Sequence, residues 1–178
     1  MSADELPFKQ SWWIDRKGVI GGRYPGTTDP AESARDLARL LDVGVHVVIN
    51  LQEPHETNDK GQTFANYEPA LKQLAAARGV PVEVMRFPIH DNAVPTPALM
   101  REILDAIDRA LRAGQRVYVH CWGGHGRTGT VAGCWLKQCG AACEDAFAAI
   151  KAARSHDDAL KKQVAPQTTA QRAFVRNF

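Results

Sequence analysis

Apolar positions along the chain follow two alternating rhythms. Short β-branched runs at 45–51 (VHVVINL) and 116–120 (RVYVH) are the mark of buried strands. Residues 80–87 (VPVEVMRF) alternate with the period of two that a strand requires. Residues 12–24 (WWIDRKGVIGGRY) predict two more short strands around a turn at Lys17-Gly18. Between the strands the rhythm lengthens to that of a helix. Asp29 stands as an N-cap with Pro30 behind it, Leu37, Leu40 and Leu41 form an apolar stripe, and Gly44 stops the segment after Val43. A second helix is predicted over 67–78, closed by Gly79. A third runs from Thr96 and Pro97 to Leu111, with Leu99, Ile103, Ile107 and Leu111 at near-helical spacing. Further helices are predicted at about 128–138, 144–153 and 168–177. The polar stretch 52–66 and the segment PIHDNAVPTP at 88–97, with its three prolines, predict loops.

Strands that alternate with helices imply an α/β fold: a central, mostly parallel sheet with helices on both faces. Ligands of such sheets bind at the carboxyl ends of the strands. With 178 residues, no internal repeat and no linker, the expectation is a single domain over 1–178. Composition narrows the partners. Net charge is +2, from 22 basic and 20 acidic residues, without the marked basic excess of a nucleic-acid or membrane-surface binder. No apolar run approaches the roughly 18 residues needed to span a bilayer, and the N-terminal stretch MSADELPFKQSWWIDRKG carries no signal-peptide pattern. The expected compartment is cytoplasmic, with no nucleic-acid or membrane partner and no oligomeric state specified. Cys121, Cys134, Cys139 and Cys143 show no CxxC pair, which points away from a disulfide framework or a zinc site; no metal and no cofactor is expected.

The chemistry concentrates in His120-Cys121-Trp122-Gly123-Gly124-His125-Gly126-Arg127-Thr128-Gly129. A strand ends at His120, three glycines fall within four positions, and a helix opens near Arg127. Glycines let the backbone turn tightly, so that the N–H groups of Trp122 to Gly126 point inward as an anion nest. The helix N-terminus adds its partial positive charge. Arg127 adds a bidentate, charge-assisted grip on an anion. The same field favours the thiolate of Cys121, and Thr128 is placed to donate its hydroxyl to that sulfur. One loop thus combines nucleophile, anion cradle and charge stabilisation.

The extended pattern H-C-x-x-G-x-x-R-T-G resembles the signature loop of the protein tyrosine and dual-specificity phosphatases. A rhodanese-like sulfurtransferase loop is one residue shorter. The resemblance implies hydrolysis of phosphate monoesters through a phosphocysteine on Cys121, with Arg127 on the phosphate and His120 behind the loop, orienting it. It implies a general acid on a loop some thirty residues upstream, and Asp91 in Pro88-Ile89-His90-Asp91 occupies that position. Near the C-terminus, Gln167-Thr168-Thr169-Ala170-Gln171-Arg172-Ala173-Phe174 resembles the family's glutamine loop, Q-T-x-x-Q-x-x-F. Carried over, Gln167 and Gln171 position the water that hydrolyses the phosphocysteine.

The expected substrate is a phosphorylated protein (phosphotyrosine, phosphoserine or phosphothreonine) or a small phosphorylated molecule. The alternative is a phosphoinositide or inositol polyphosphate, although lipid phosphatases of this superfamily place lysines in the loop where Trp122 and His125 stand here. A non-catalytic phosphate-binding module is the third reading, and such modules lose the cysteine, the arginine or the acid. His125 is left between a pocket-rim position and plain exposure. Cys134 reads as a small buried hydrophobe; a resolving-thiol role for it or for Cys139 is the lesser reading. Trp12 and Trp13 read as packing. Gln52 and Glu53, just past the strand at 45–51, either border the pocket or form plain loop, the favoured reading; His156 reads as part of a solvated stretch beside Asp157 and Asp158.

Overall fold

The two apolar runs become neighbours at the centre of one sheet. The computed structural model describes residues 5–27 and 29–178; Met1 to Asp4, at the head of the stretch tested for a signal peptide, lie outside them. Five strands, β1 (Ser11–Asp15), β2 (Val19–Gly22), β3 (Val45–Asn50), β4 (Glu83–Arg86) and β5 (Arg116–His120), pair in the order β1-β2-β5-β3-β4. β1 and β2 form the antiparallel hairpin at Lys17-Gly18; β2–β5, β5–β3 and β3–β4 are parallel. The mostly parallel α/β architecture matches the sequence expectation, and β5 occupies the middle position.

Alternation of side chains divides the core into two. Trp12, Val47, Ile49, Val117 and Val119 face one layer, where they pack with Met100, Ile103, Leu104 and Ile107 of α3 (Pro97–Arg112). α4 (Arg127–Gln138), α5 (Cys143–Ala153) and α7 (Thr169–Asn177) add Val131, Ile150 and Val175 to the same layer. Trp13, Val48 and Tyr118 face the opposite layer, made by Leu37 and Leu40 of α1 (Pro30–Asp42) and Leu71 of α2 (Glu68–Ala77). Helices on both faces are what a parallel sheet needs to bury its apolar surface. Both tryptophans are core residues, as read from the sequence.

Local rules explain most boundaries. Asp29 accepts from the N–H groups of Ala31 and Glu32, and Thr96 from that of Leu99, each satisfying free donors of a helix's first turn. The buried face of α3 centres on Met100, Ile103, Leu104 and Ile107; Leu99 and Leu111 are its half-buried flanks. β4 is four residues long, shorter than the expected 80–87. Pro81 has no N–H to give a ladder, and this is an edge strand. The stretch after His156 is not all solvated coil: Asp157 caps a short helix, α6 (Asp158–Lys161), that buries Leu160. No helix among the described residues is long and apolar enough to cross a membrane.

Candidate active site

The carboxyl ends of β3, β4 and β5 converge, and each delivers one loop. The ladder continues past β5 and β3 by Leu51 N–H donating to His120 O at 2.9 Å. It continues past β4 by Phe87 N–H to Asn50 O (2.9 Å) and Ile89 N–H to Leu51 O (3.0 Å). These bonds carry the chain straight from strand into site, so that loops 51–66, 88–96 and 121–126 meet.

The glycine loop turns beneath Cys121, a buried residue. Gly124 sits at φ +76°, and a Cβ there would stand 2.5 Å from the Gly22 carbonyl carbon, so no other residue allows the loop to approach the end of β2 so closely. The first turn of α4 is wholly buried, and its cap residue Gly126 offers no side-chain acceptor. A buried helix N-terminus without such an acceptor, at a strand end rich in glycine, suits an anion. Thr128 Oγ1 donates to Cys121 Sγ at 3.1 Å.

His120 is fully buried and its tautomer follows from its partners. Nδ1 lies 3.0 Å from the Cys121 carbonyl oxygen, which can only accept, so Nδ1 carries the proton. Nε2 then accepts from the Tyr67 hydroxyl at 2.6 Å. Burial drives the imidazole to about 3, against a bond to Cys121 O that favours the charged form, so the ring is neutral at physiological pH. It holds the loop by hydrogen bonding and is not a base for the thiol.

Arg127 is 1% exposed and almost fully engaged. Nη1 donates to Glu56 Oε2 (2.6 Å) and Ile89 O (3.0 Å). Nη2 reaches Glu56 Oε1 (2.8 Å) and Asp91 Oδ1 (2.9 Å). Nε is buried and unpartnered. The donors left for an anion are therefore Nε and, once the Asp91 carboxylate moves off its ion pair, the second proton of Nη2. Burial weakens the guanidinium's hold on its proton, and Glu56, the Cys121 sulfur and Asp91 more than reverse that, so its value is raised.

Glu56 was not legible as a site residue. Its side chain is 10% exposed, and besides Arg127 it takes Gln52 Nε2 at 3.1 Å and Glu53 N–H at 3.2 Å. Burial works against its ionised form, but the Arg127 and Gln52 bonds outweigh this and its value is lowered. Gln52 and Glu53, read from the sequence as plain loop, are thus the backing of Glu56. A cleft of about 250 Å³ lined by Gln52, Glu56, Phe64, Tyr67 and Arg86 opens beside the pair. Half-buried Phe64 meets Trp122 edge-on at 5.7 Å, forming an aromatic wall.

Asp91, with its side chain 45% exposed, reaches the site through Arg127 and is flanked by Asn92 Nδ2 at 3.0 Å. The two glutamines separate. Gln171 is buried and committed: Oε1 accepts from the N–H groups of Gln167 and Thr168, completing a capping box, and Nε2 donates to Ala93 O at 3.1 Å. Exposed Gln167 makes no side-chain hydrogen bond among the described residues; a Cβ on Gly126 would lie 3.2 Å from its Oε1 and 3.0 Å from both ends of the Gln171 amide, so the two glutamines flank the same turn of the loop. His125 is half-buried and not plainly exposed, and its Nδ1 accepts from Arg154 Nη2 at 3.0 Å. Cys134 is fully buried and its thiol is pushed up to about 12 by burial, which makes it chemically quiet.

A family model described as "PTP-SAK: Swiss Army Knife protein, DSP-PTPase phosphatase domain" matches residues 21–175. The phosphatidylglycerophosphate phosphatase PTPMT2 of Arabidopsis thaliana is 29% identical over 133 residues, 70% of this chain and 47% of that protein. The chain spans less than half the length of the curated relatives it matches, 37% and 47% for two of them. The structure of Tk-PTP in the active form superposes with a TM-score of 0.69 at 25% identity, over 94% of this chain and 95% of that one. PTPMT1 in complex with PI(5)P gives a TM-score of 0.69 at 25% identity, over 95% and 94%.

Proposed function

Because the chain belongs to the DSP-PTPase phosphatase family, matched over residues 21–175, we propose that it hydrolyses phosphate monoesters through a phosphocysteine on Cys121. The observation that carries this reading is the Thr128 hydroxyl 3.1 Å from Cys121 Sγ, at a buried helix N-terminus beside the unpartnered Nε of Arg127. In the first step Sγ attacks phosphorus and the bond to the leaving oxygen breaks. The loop N–H groups and Arg127 Nε and Nη2 hold the equatorial oxygens, where charge gathers. Asp91, displaced from Nη2 by the phosphoryl group, gives its proton to the leaving oxygen. In the second step water near Gln167 loses a proton to Asp91 and attacks phosphorus. The S–P bond breaks, and Thr128 donates to the thiolate that leaves. Gln171 acts by holding the loop ends together, not by touching water. The whole chain works as one domain.

The leading substrate is a phosphorylated protein side chain. Its support is local: the loop carries a tryptophan and a neutral histidine instead of lysines, and the Phe64–Trp122 wall suits an aryl phosphate. A phosphoinositide or a related lipid phosphate is the second reading. It is favoured by the match to the phosphatidylglycerophosphate phosphatase and to a structure holding PI(5)P. Turnover of para-nitrophenyl phosphate by the wild type and by Cys121→Ser tests the chemistry, and equal rates would overturn it. Phosphotyrosyl and phosphoseryl peptides compared with inositol phosphates and PI(5)P vesicles separate the substrates. A dominant rate on the inositol arm sinks the protein reading.

A further inference from the structure

Arg127 does not give the nucleophile loop a net positive charge. Two carboxylates, Glu56 and Asp91, share its guanidinium, so the three together are neutral or negative. Another cation stands on the far side. Arg154 caps the C-terminus of α5 and is 3% exposed. It has no carboxylate partner among the described residues. Nη1 donates to Gln163 O at 2.7 Å and Nη2 to His125 Nδ1 at 3.0 Å, Nε is buried and unpartnered, and the guanidinium carbon lies 5.9 Å from the Trp12 ring centroid. Burial depresses Arg154 to about 10, still charged at neutral pH, and the one opposing influence on it is the Cys121 sulfur. Through His125 this buried cation is held against the glycine loop that carries the sulfur, and charges act on one another through space.

We propose that Arg154 is a positioning residue that sets the charge around Cys121. It holds a buried cation, with no carboxylate partner among the described residues, behind the glycine loop, and it locks the His125 ring onto that loop as a neutral acceptor. His125 Nε2 lies 2.6 Å from where a Gly123 Cβ would stand, so the ring covers that turn of the loop. Its value is pushed down to about 4, by burial first and by Arg154's charge second, which keeps it an acceptor for Nη2. The Gln163 bond ties the segment leading to Gln167 to the same guanidinium. The charged and titratable groups that face this loop include Arg127 and Arg154, the neutral His120 and His125, Tyr118, Tyr67 and Arg86 around His120, and Glu56 and Asp91 on Arg127.

The proposal rests on Cys121 as nucleophile, and its test is independent of turnover. Iodoacetamide alkylation of the Cys121 peptide is followed by mass spectrometry from pH 4 to 9 in the wild type, Arg154→Met and Arg154→Lys. The Met variant loses the charge but keeps the stem; its half-maximal rate moves up by about one pH unit, a roughly tenfold loss on the acid limb. The Lys variant keeps the charge and with it the wild-type midpoint. A folded Met variant with the wild-type midpoint overturns the proposal. So does a Lys variant displaced upward by a full unit, and that comparison stands by itself if the Met variant does not fold. Failure of the phosphatase reading shows separately, as a Cys121→Ser protein that still turns over.

Discussion

Replacing Glu56 with glutamine keeps the shape of the side chain and removes its charge. The carboxylate now accepts from four donors: Arg127 Nη1 and Nη2, Gln52 Nε2 and the Glu53 N–H. A glutamine leaves one oxygen for them and turns an NH₂ group toward the others, donor against donor. Removing one partner of a buried ion pair costs about 3–5 kcal/mol, because the remaining charge stays buried. Arg127 cannot reach solvent, at 1% exposed, but Asp91 remains bound to Nη2, which places the expected loss near the low end, about 3 kcal/mol. For a chain of this size each kcal/mol moves the midpoint by about 2–4 °C, so a drop of about 6–12 °C is expected. Activity suffers separately. Without Glu56, Nη1 is held only by Ile89 O and the guanidinium plane is free to turn toward Asp91, away from the phosphate. Loss of one preorganised transition-state donor costs about a hundredfold or more, and kcat/KM for para-nitrophenyl phosphate should fall by about that factor. Thermal melts and steady-state kinetics on Glu56→Gln, with Glu56→Asp as the charge-retaining control, measure both. A melting point within about 2 °C of wild type, or a kcat/KM within a factor of about two, refutes the role given to the pair.

Four other outcomes are expected. Asp91→Asn should slow alkyl phosphates about a hundredfold while sparing substrates whose leaving group needs no proton; an equal loss across a leaving-group series places the acid elsewhere. Gln171→Ala removes the capping box and the tie to Ala93, costing about 1–2 kcal/mol and a few degrees of melting temperature. Gln167→Ala leaves the melt unchanged and gives a burst of one leaving-group equivalent as phosphocysteine accumulates; a burst from Gln171→Ala alone reverses these roles. Acid should destabilise the fold through His120. Below pH about 6.5 the unfolded chain takes up a proton that the buried ring refuses until about 3, so stability falls as pH drops through that window. The slope is about 1.4 kcal/mol per pH unit, or about 2 kcal/mol between pH 6.5 and 5. Urea midpoints at pH 7 and 5 for wild type and His120→Asn check this, and an undiminished pH slope in the variant counts against it.

The residues from His120 to Gly129 could be read directly because their chemistry is local. Nucleophile, glycines, arginine and hydroxyl sit within one strand–turn–helix, whose backbone alone fixes their relation. The strand and helix periods that gave the α/β class are equally local, as are the Asp29 and Thr96 caps. Even the C-terminal glutamines stood out by their spacing, although only their packing told the buried pin, Gln171, from the free side chain, Gln167.

What the chain's order of residues concealed is whatever depends on the order of strands. Glu56 lies 71 residues before Arg127 and looks like any acidic loop residue until β3 settles beside β5 and carries its loop over the same strand ends. Arg154 looks like a basic residue at a helix end, the commonest place for one, until α5 packs and turns it inward with no carboxylate partner among the described residues. The Arg154 partner of His125 was hidden for the same reason. Sequence period and spacing determine the nucleophile loop and the layers that support it. The charges that join Arg127 around this loop come from 51–66, 88–96 and 154, segments brought together only by the folded sheet, because electrostatic interaction depends on distance through space and not along the chain.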